Sequence, residues 1–218
     1  MVRLTRVEQS RRNRDLVLAG ARRMFLARGY HGASLEQIAD EAGFSKGVVY
    51  SQFESKADLF LALLEQRIDE RKGENAGFVD RLVASDVLTL DQGLRALAEH
   101  VTARDRADAE WGLLVIEFRV HAARDAELNR RYGEVHERTV AGVADVVTRI
   151  YDRAGESLPL PASELARLLL TVGAGARLEQ ATNSDVLPNA LVAELLARVP
   201  SSVTSASPAG RANRRRVA

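Results

Sequence analysis

From about Arg11 to Val199 the apolar residues of this chain recur at spacings of three and four, and no stretch alternates with the period of two that a half-buried strand requires. Only five prolines interrupt 218 residues, so such segments are expected to fold as amphipathic helices, each burying one stripe. The fold class read from this pattern is all-α. The spacing predicts a first helix over about Arg11 to Arg28, with Leu16, Ala19, Met24 and Phe25 as its inward stripe and Gly29 as its stop. A short pair follows between Ser34 and Phe53, then a long helix from Ser55 to about Lys72, ending near Gly73. Further helices are expected over Leu90 to Ala103, Glu110 to Ala123, Ala126 to Asp152, Ala162 to Thr182 and Pro188 to Val199.

The formal charge of +1 conceals a division along the chain. Residues 1–56 carry ten Lys/Arg against six Asp/Glu, residues 57–200 carry seventeen against twenty-four, and residues 201–218 hold four arginines and no acid. A basic front on an acidic body suits a chain whose front meets a polyanion while the body faces away from it. The last segment is rich in Ser, Ala, Gly and Arg with little to bury, and is expected to be a disordered basic tail. Cysteine is absent, which excludes disulfides, thiolate zinc sites and cysteine nucleophiles. Met1 to Asp15 are polar and Arg-rich, and no run approaches the roughly 18 uncharged apolar residues of a membrane span. The expected compartment is the cytoplasm, with no membrane partner.

The informative stretch runs from Gly32 to Phe60. Ser34 suits an N-cap, and Gln37 three residues on can return the bond in a capping box. Leu35, Ile38, Ala39 and Ala42 share one face of a short helix. Gly43 then stands where a left-handed residue turns the chain sharply, and Phe44 can plug the corner. Ser45 opens a second helix in which Val49 and Phe53 face inward. Lys46, Gly47, Val48, Tyr50, Ser51 and Gln52 are left on or near its outer face. A turn of about three residues, with small Ala39 at the crossing, is the helix-turn-helix pattern. The second helix offers hydrogen-bond donors, a cation and a phenol at the end that would enter a major groove. Ser55 can cap the next helix, whose free N–H groups with Lys56 beside them would form a phosphate site.

These residues resemble the DNA-binding domain of the TetR family of transcriptional regulators. The matching elements are Arg28-Gly29-Tyr30, Ser34 to Ala39, Ala42 to Gly47, Tyr50, Phe53 and Ser55-Lys56, together covering roughly residues 10 to 62. The resemblance implies that Lys46, Gly47 and Val48 open the groove-facing side of a recognition helix. It implies phosphate contacts for Tyr50 and Lys56, with Ser34 and Ser45 adding to them. Ser51 and Gln52 stand where the family often carries aromatic or histidine side chains, and Glu54 where proline is common. Half-site preference therefore does not carry over; Gln52 can read an adenine edge or a phosphate. Arg11, Arg12 and Arg14 can form an N-terminal arm to DNA or remain solvated, as can Arg211, Arg214, Arg215 and Arg216 of the tail. The implied organisation is a three-helix helix-turn-helix domain over 1–56, a helical ligand-binding and dimerisation bundle over 57–200, and the tail over 201–218.

In the body, Leu165, Leu168, Leu169 and Val172 lead into the small cluster Gly173 to Ala176, and the next helix brings Leu191 and Leu195. Two such helices from each of two chains would make a four-helix bundle, as in the family's homodimers; an intrachain core satisfies the same pattern. The family resemblance places a ligand chamber between Leu90 and Asp152. Trp111, Leu114, Val115 and Phe118 form a stripe there that is a pocket wall or simply packing. Glu117, Arg119 and His121, with His100 and Arg104, can orient a polar group on a mostly apolar effector.

The function expected is a ligand-responsive repressor that binds a near-palindromic double-stranded DNA operator as a homodimer. A transcriptional activator of the same family and a helical dimer without DNA binding are the alternatives. His31, His100, His121 and His136 lack metal spacing, and neither a phosphate loop nor a nucleophile elbow occurs, so neither enzyme activity nor a cofactor is expected.

Overall fold

A computed structural model describes residues 5–84, 88–102, 106–183 and 187–204. Arg104 and most of the tail, residues 205–218, lie outside the described residues. Among the described residues all regular structure is helical, in the order α1 (Arg6–Gly32), α2 (Leu35–Ala42), α3 (Lys46–Tyr50), α4 (Lys56–Val83), α5 (Leu90–Thr102), α6 (Arg106–Ala122), α7 (Ala126–Ala154), α8 (Ala162–Thr182) and α9 (Asn189–Thr204). None of these helices is long and apolar enough to cross a membrane.

The chain divides into two compact units, residues 1–74 with 105–139, and 75–104 with 140–218. The first unit does not end at residue 56. Its core joins Val17, Ala21 and Phe25 of α1, Ile38 and Ala39 of α2, Val49 of α3 and Leu59 and Phe60 of α4 to Phe118 and Ala122 of α6. Phe60 stacks on Phe118 with ring centroids 4.2 Å apart and meets Phe25 edge-on at 5.3 Å. Helices α1 to α3 alone offer too little apolar cover for these rings, and burying each large ring contributes about 1.5–3 kcal/mol. Helix α6 supplies the missing side.

The second unit is built on α5, α8 and α9, the end of α4 and the later turns of α7. Leu94, Ala98, Val147, Tyr151, Leu165, Val192 and Leu196 form one cluster, and Val79, Val146 and Ile150 a second. Helices α5 and α7 meet at Gly93, where a Cβ would lie 2.6 Å from Ile150 Cγ2. Only hydrogen fits there.

Several boundaries differ from those expected. Helix α1 starts earlier because Thr5 and Glu8 form a capping box, with Glu8 N–H donating to Thr5 Oγ1 at 3.2 Å and Thr5 N–H to Glu8 Oε2 at 2.7 Å. Its inward stripe is Val17, Leu18, Ala21 and Phe25, with Met24 packed partly buried against the same core; Phe25 and Met24 lie as expected, whereas Leu16, 46% exposed, and Ala19 face outward. Helix α4 runs through Gly73 and Gly77 to Val83. One glycine costs a helix interior only about 1 kcal/mol, which the buried Val79 and its neighbours outweigh. Helix α8 has the bounds the sequence predicts.

Gly93→Ala should therefore destabilise the protein by about 1–3 kcal/mol through overpacking, measured by urea denaturation. Adding Ile150→Leu, which removes Cγ2, should recover part of that loss.

Candidate nucleic-acid interface

Local geometry fixes the support for α3. Ser34 Oγ accepts from Gln37 N–H at 3.2 Å while Gln37 Oε1 accepts from Ser34 N–H at 3.1 Å, so a capping box starts α2. Gly43 ends it with φ at 74°, a left-handed conformation that a side chain resists, and Phe44 N–H closes back onto Ala39 O at 2.9 Å. Helix α3 follows directly. Val49 is fully buried and Phe53 nearly so, with the Arg14 guanidinium 4.5 Å above the Phe53 ring. Ser45 has the backbone of an N-cap but makes no side-chain cap bond.

With Val49 pinned inward, Ser45, Lys46, Gly47, Tyr50 and Ser51 are exposed, and Val48 and Gln52 are half-buried. Gly47 is open: a Cβ there would approach only Ser45 Oγ, at 3.9 Å. Ser51 Oγ donates to Val48 O at 2.8 Å, and Gln52 Oε1 is buried without a hydrogen-bond partner. One contact was not foreseen. Glu36, on the first turn of α2, accepts from the Tyr50 hydroxyl at 3.0 Å and lies 4.0 Å from Lys46 Nζ. Its own backbone N–H, then Tyr50 and Ser34, hold its carboxyl below the ordinary range, while the same bond raises the Tyr50 phenol. A carboxylate thus occupies two of the groups on α3 that a phosphate would seek. The sequence signal was the spacing, since the first turn of one helix faces the outer side of the next.

Lys56, the expected phosphate ligand, is held against the protein's own backbone. Its ammonium donates to Tyr30 O at 2.8 Å and Ala33 O at 2.9 Å, lies 3.5 Å from His31 O, and sits 4.5 Å above the Tyr30 ring. Burial lowers its pKa, partly opposed by Glu117. The ammonium is committed to the turn between α1 and α2, and Ser55 caps α4 through Asp58, accepting from Asp58 N–H at 3.1 Å. The other side of that turn is held by Glu117 of α6, which accepts from Tyr30 N–H at 3.0 Å and His31 N–H at 3.1 Å. Gly29 makes this approach possible with φ 70° and ψ 173°, a region that glycine alone occupies readily, and a Cβ there would meet Glu117 Oε2 at 3.0 Å. Burial, then the nearby Asp58 and Glu117 carboxylates, push the Tyr30 phenol up to about 12.

Trp111, Leu114 and Phe118 belong to the core of the first unit, Val115 packs against it, and His121 lies against Tyr30 and His31 at ring separations of 5.1 and 5.0 Å. The stripe covers the rings of Phe60 and Tyr30. His100, in the second unit, stacks on Phe78 at 4.1 Å with its Nε2 3.3 Å from Asn75 Oδ1. Of the expected interface residues, Leu165 and Ala176 are buried inside the protomer, and Leu169 and Val172 are partly buried against the same cluster. Gly173 is half-buried. Leu168, Leu191 and Leu195 are 40%, 56% and 52% exposed, and Leu178, which the sequence reading omitted, joins them at 50%.

Comparison with known proteins agrees with this geometry. The family described as bacterial regulatory proteins, tetR family, matches residues 17–63. The transcriptional activator FasR of Mycolicibacterium smegmatis is 46% identical over 56 residues, 26% of each chain, so the match spans about a quarter of that relative. The transcriptional repressor AcnR of Corynebacterium efficiens is 31% identical over 144 residues, covering 56% of this chain and 71% of AcnR. The solved structure of GusR from Salmonella enterica has the same fold, with a TM-score of 0.65 at 23% identity over 93% of this chain and 98% of that one. The chain belongs to the TetR family of bacterial regulatory proteins.

Lys56→Met should lower stability by about 1.5–3 kcal/mol, the cost of removing a charged donor from buried carbonyls, and should leave the salt dependence of duplex binding unchanged. Lys46→Ala should do the opposite, leaving urea denaturation unaltered while changing which duplex sequences are preferred. Glu36→Gln, measured by fluorescence anisotropy at fixed salt, should tighten duplex binding about two- to threefold, the scale of one exposed ion pair. Weaker binding would instead make Glu36 the brace that orients Tyr50.

Proposed function

We propose that the protein is a transcriptional repressor that acts in the cytoplasm as a homodimer on a near-palindromic duplex operator and answers to a small-molecule effector. The observation that carries the DNA reading is the outer face of α3. Buried Val49 and Phe53 fix its roll, and Ser45, Lys46, Gly47, Tyr50 and Ser51 stand free of the core. In this reading Lys46, Gly47, Val48 and Gln52 meet base edges, and Ser34, Ser45, Tyr50 and Ser51 meet phosphates. Lys56 holds the support.

The exposed leucines of α8 and α9 favour the dimer. Leu168 and Leu178 on one helix, with Leu191 and Leu195 on the other, are four large apolar side chains at least 40% exposed, and pairing with a second copy would cover them. Repression is favoured over activation because the likeness to AcnR runs well past the front module, whereas that to FasR spans 56 residues. A DNA-binding module of one ancestry serves either outcome.

Selection of bound duplexes from a random pool tests this directly. It should return an inverted repeat, with affinity falling steeply as salt rises because neutralised phosphates release counterions. Leu191→Asp with Leu195→Asp should yield monomers by sedimentation and lower affinity for the full repeat at least a hundredfold, since each half-site alone contributes too few contacts. Retention of full affinity by the monomer would reject the paired reading, and absence of duplex binding in dilute buffer would reject the function.

A further inference from the structure

The first unit holds a cleft of about 240 Å³ between α1, α4 and α6. Its apolar lining is Leu18, Ala19, Leu63 and Trp111, and Arg22, Arg23, Arg67 and Glu70 line it as well. Two of those arginines are committed. Arg23 Nε donates to Glu41 at 2.7 Å. Arg67 donates through Nη1 to Glu70 at 3.1 Å and to Glu74 at 3.2 Å, and through Nη2 to Asp108 at 2.8 Å. Arg22 lines the cleft half-buried, with no hydrogen bond or ion pair among the described residues. An indole, two leucines and one unneutralised guanidinium thus converge on a small concavity. One face of Trp111 is taken by Phe60, stacked at 6.0 Å.

We propose that this cleft binds a small monocarboxylate with an apolar body, its carboxylate paired with Arg22 and its hydrocarbon laid on Leu18, Leu63 and Trp111. The guanidinium fork matches a carboxylate in two parallel hydrogen bonds, and the apolar part gains by leaving water. Charge selects the class. Arg23 and Arg67 are neutralised by their own carboxylates, so the one uncommitted charge facing the cleft is the Arg22 guanidinium, which suits a single anionic group and leaves the further charges of a polyanion unpaired. Volume selects the size, because 240 Å³ lies just below the roughly 300–1,000 Å³ usual for ligand sites. The cleft shares only Trp111 with the region between Leu90 and Asp152 that the family resemblance suggested, its other lining residues lying on α1 and α4.

Trp111 is the sole tryptophan of the chain, so its fluorescence reports this cleft and needs no DNA; a negative result here leaves the operator reading untouched. Titration with 4-phenylbutanoate should change Trp111 emission saturably, and the neutral isostere 4-phenylbutanamide should bind about tenfold more weakly. Arg22→Gln should lower affinity for the carboxylate about tenfold while leaving the amide unchanged, and Arg22→Lys should restore part of the difference. Ala19→Phe, at an exposed lining position, should abolish both responses with the far-ultraviolet circular dichroism retained. Emission that stays flat through millimolar 4-phenylbutanoate would overturn the proposal. So would equal affinities for acid and amide, or discrimination that survives in Arg22→Gln.

Discussion

The turn joining α1 to α2 is gripped from both sides by opposite charges, and the placement of the DNA-facing helix depends on that grip. Lys56 takes the carbonyls of Tyr30 and Ala33, while Glu117 takes the N–H groups of Tyr30 and His31. Backbone groups left unpaired at half-buried helix ends cost about 1–3 kcal/mol each, so the two side chains together satisfy what α1 would otherwise leave open. Gly29 allows the chain to turn its amides towards the carboxylate, and Tyr30 then seats its ring among Phe25, Phe60 and Phe118. A helix-turn-helix held in this way is a rigid support, because α1, α2 and the five-residue α3 do not have to hold their angles unaided.

From that support the chemistry of α3 follows by subtraction. Only five residues form it, from Lys46 to Tyr50, too few for a helix to persist alone, so its roll is set by Val49 beneath it and Phe53 just beyond. Everything not needed for that anchoring is small, polar or cationic, which suits a surface that must enter a groove between two rows of phosphates. Glu36 adds a feature of the free protein, an anion already seated against Tyr50 and Lys46. In the proposed DNA complex, that carboxylate would be displaced from Tyr50 and Lys46 rather than an empty cationic surface being filled.

Helix α6 is a structural part of the DNA-facing module as much as of the body. Phe118 closes the core shared with α1 and α4, Glu117 holds the turn, and Trp111 lines the cleft one and a half turns or more earlier in the same helix. A shift of α6 therefore bears on the α1–α2 turn through packed rings and through the hydrogen bonds that Tyr30 and His31 N–H donate to the Glu117 carboxylate.

The sequence by itself determined the features whose physics is local. The capping box at Ser34 and Gln37, the left-handed turn at Gly43, the inward pair Val49 and Phe53, and the whole span of α8 were all legible, because each depends on groups three or four residues apart within one element. Tertiary structure alone decided the rest. Whether Leu16 or Val17 turns inward, whether α4 stops at Gly73, and whether Leu165 or Leu168 stays in the protomer depends on what packs across each helix. The pairing of Glu117 with the amides of Tyr30 and His31 spans more than eighty residues of chain, and periodicity carries no information over such a distance. Lys56 is the clearest case: at a helix N-terminus a lysine reads as a phosphate ligand, and only the carbonyls folded against it turn the same charge into an internal strut.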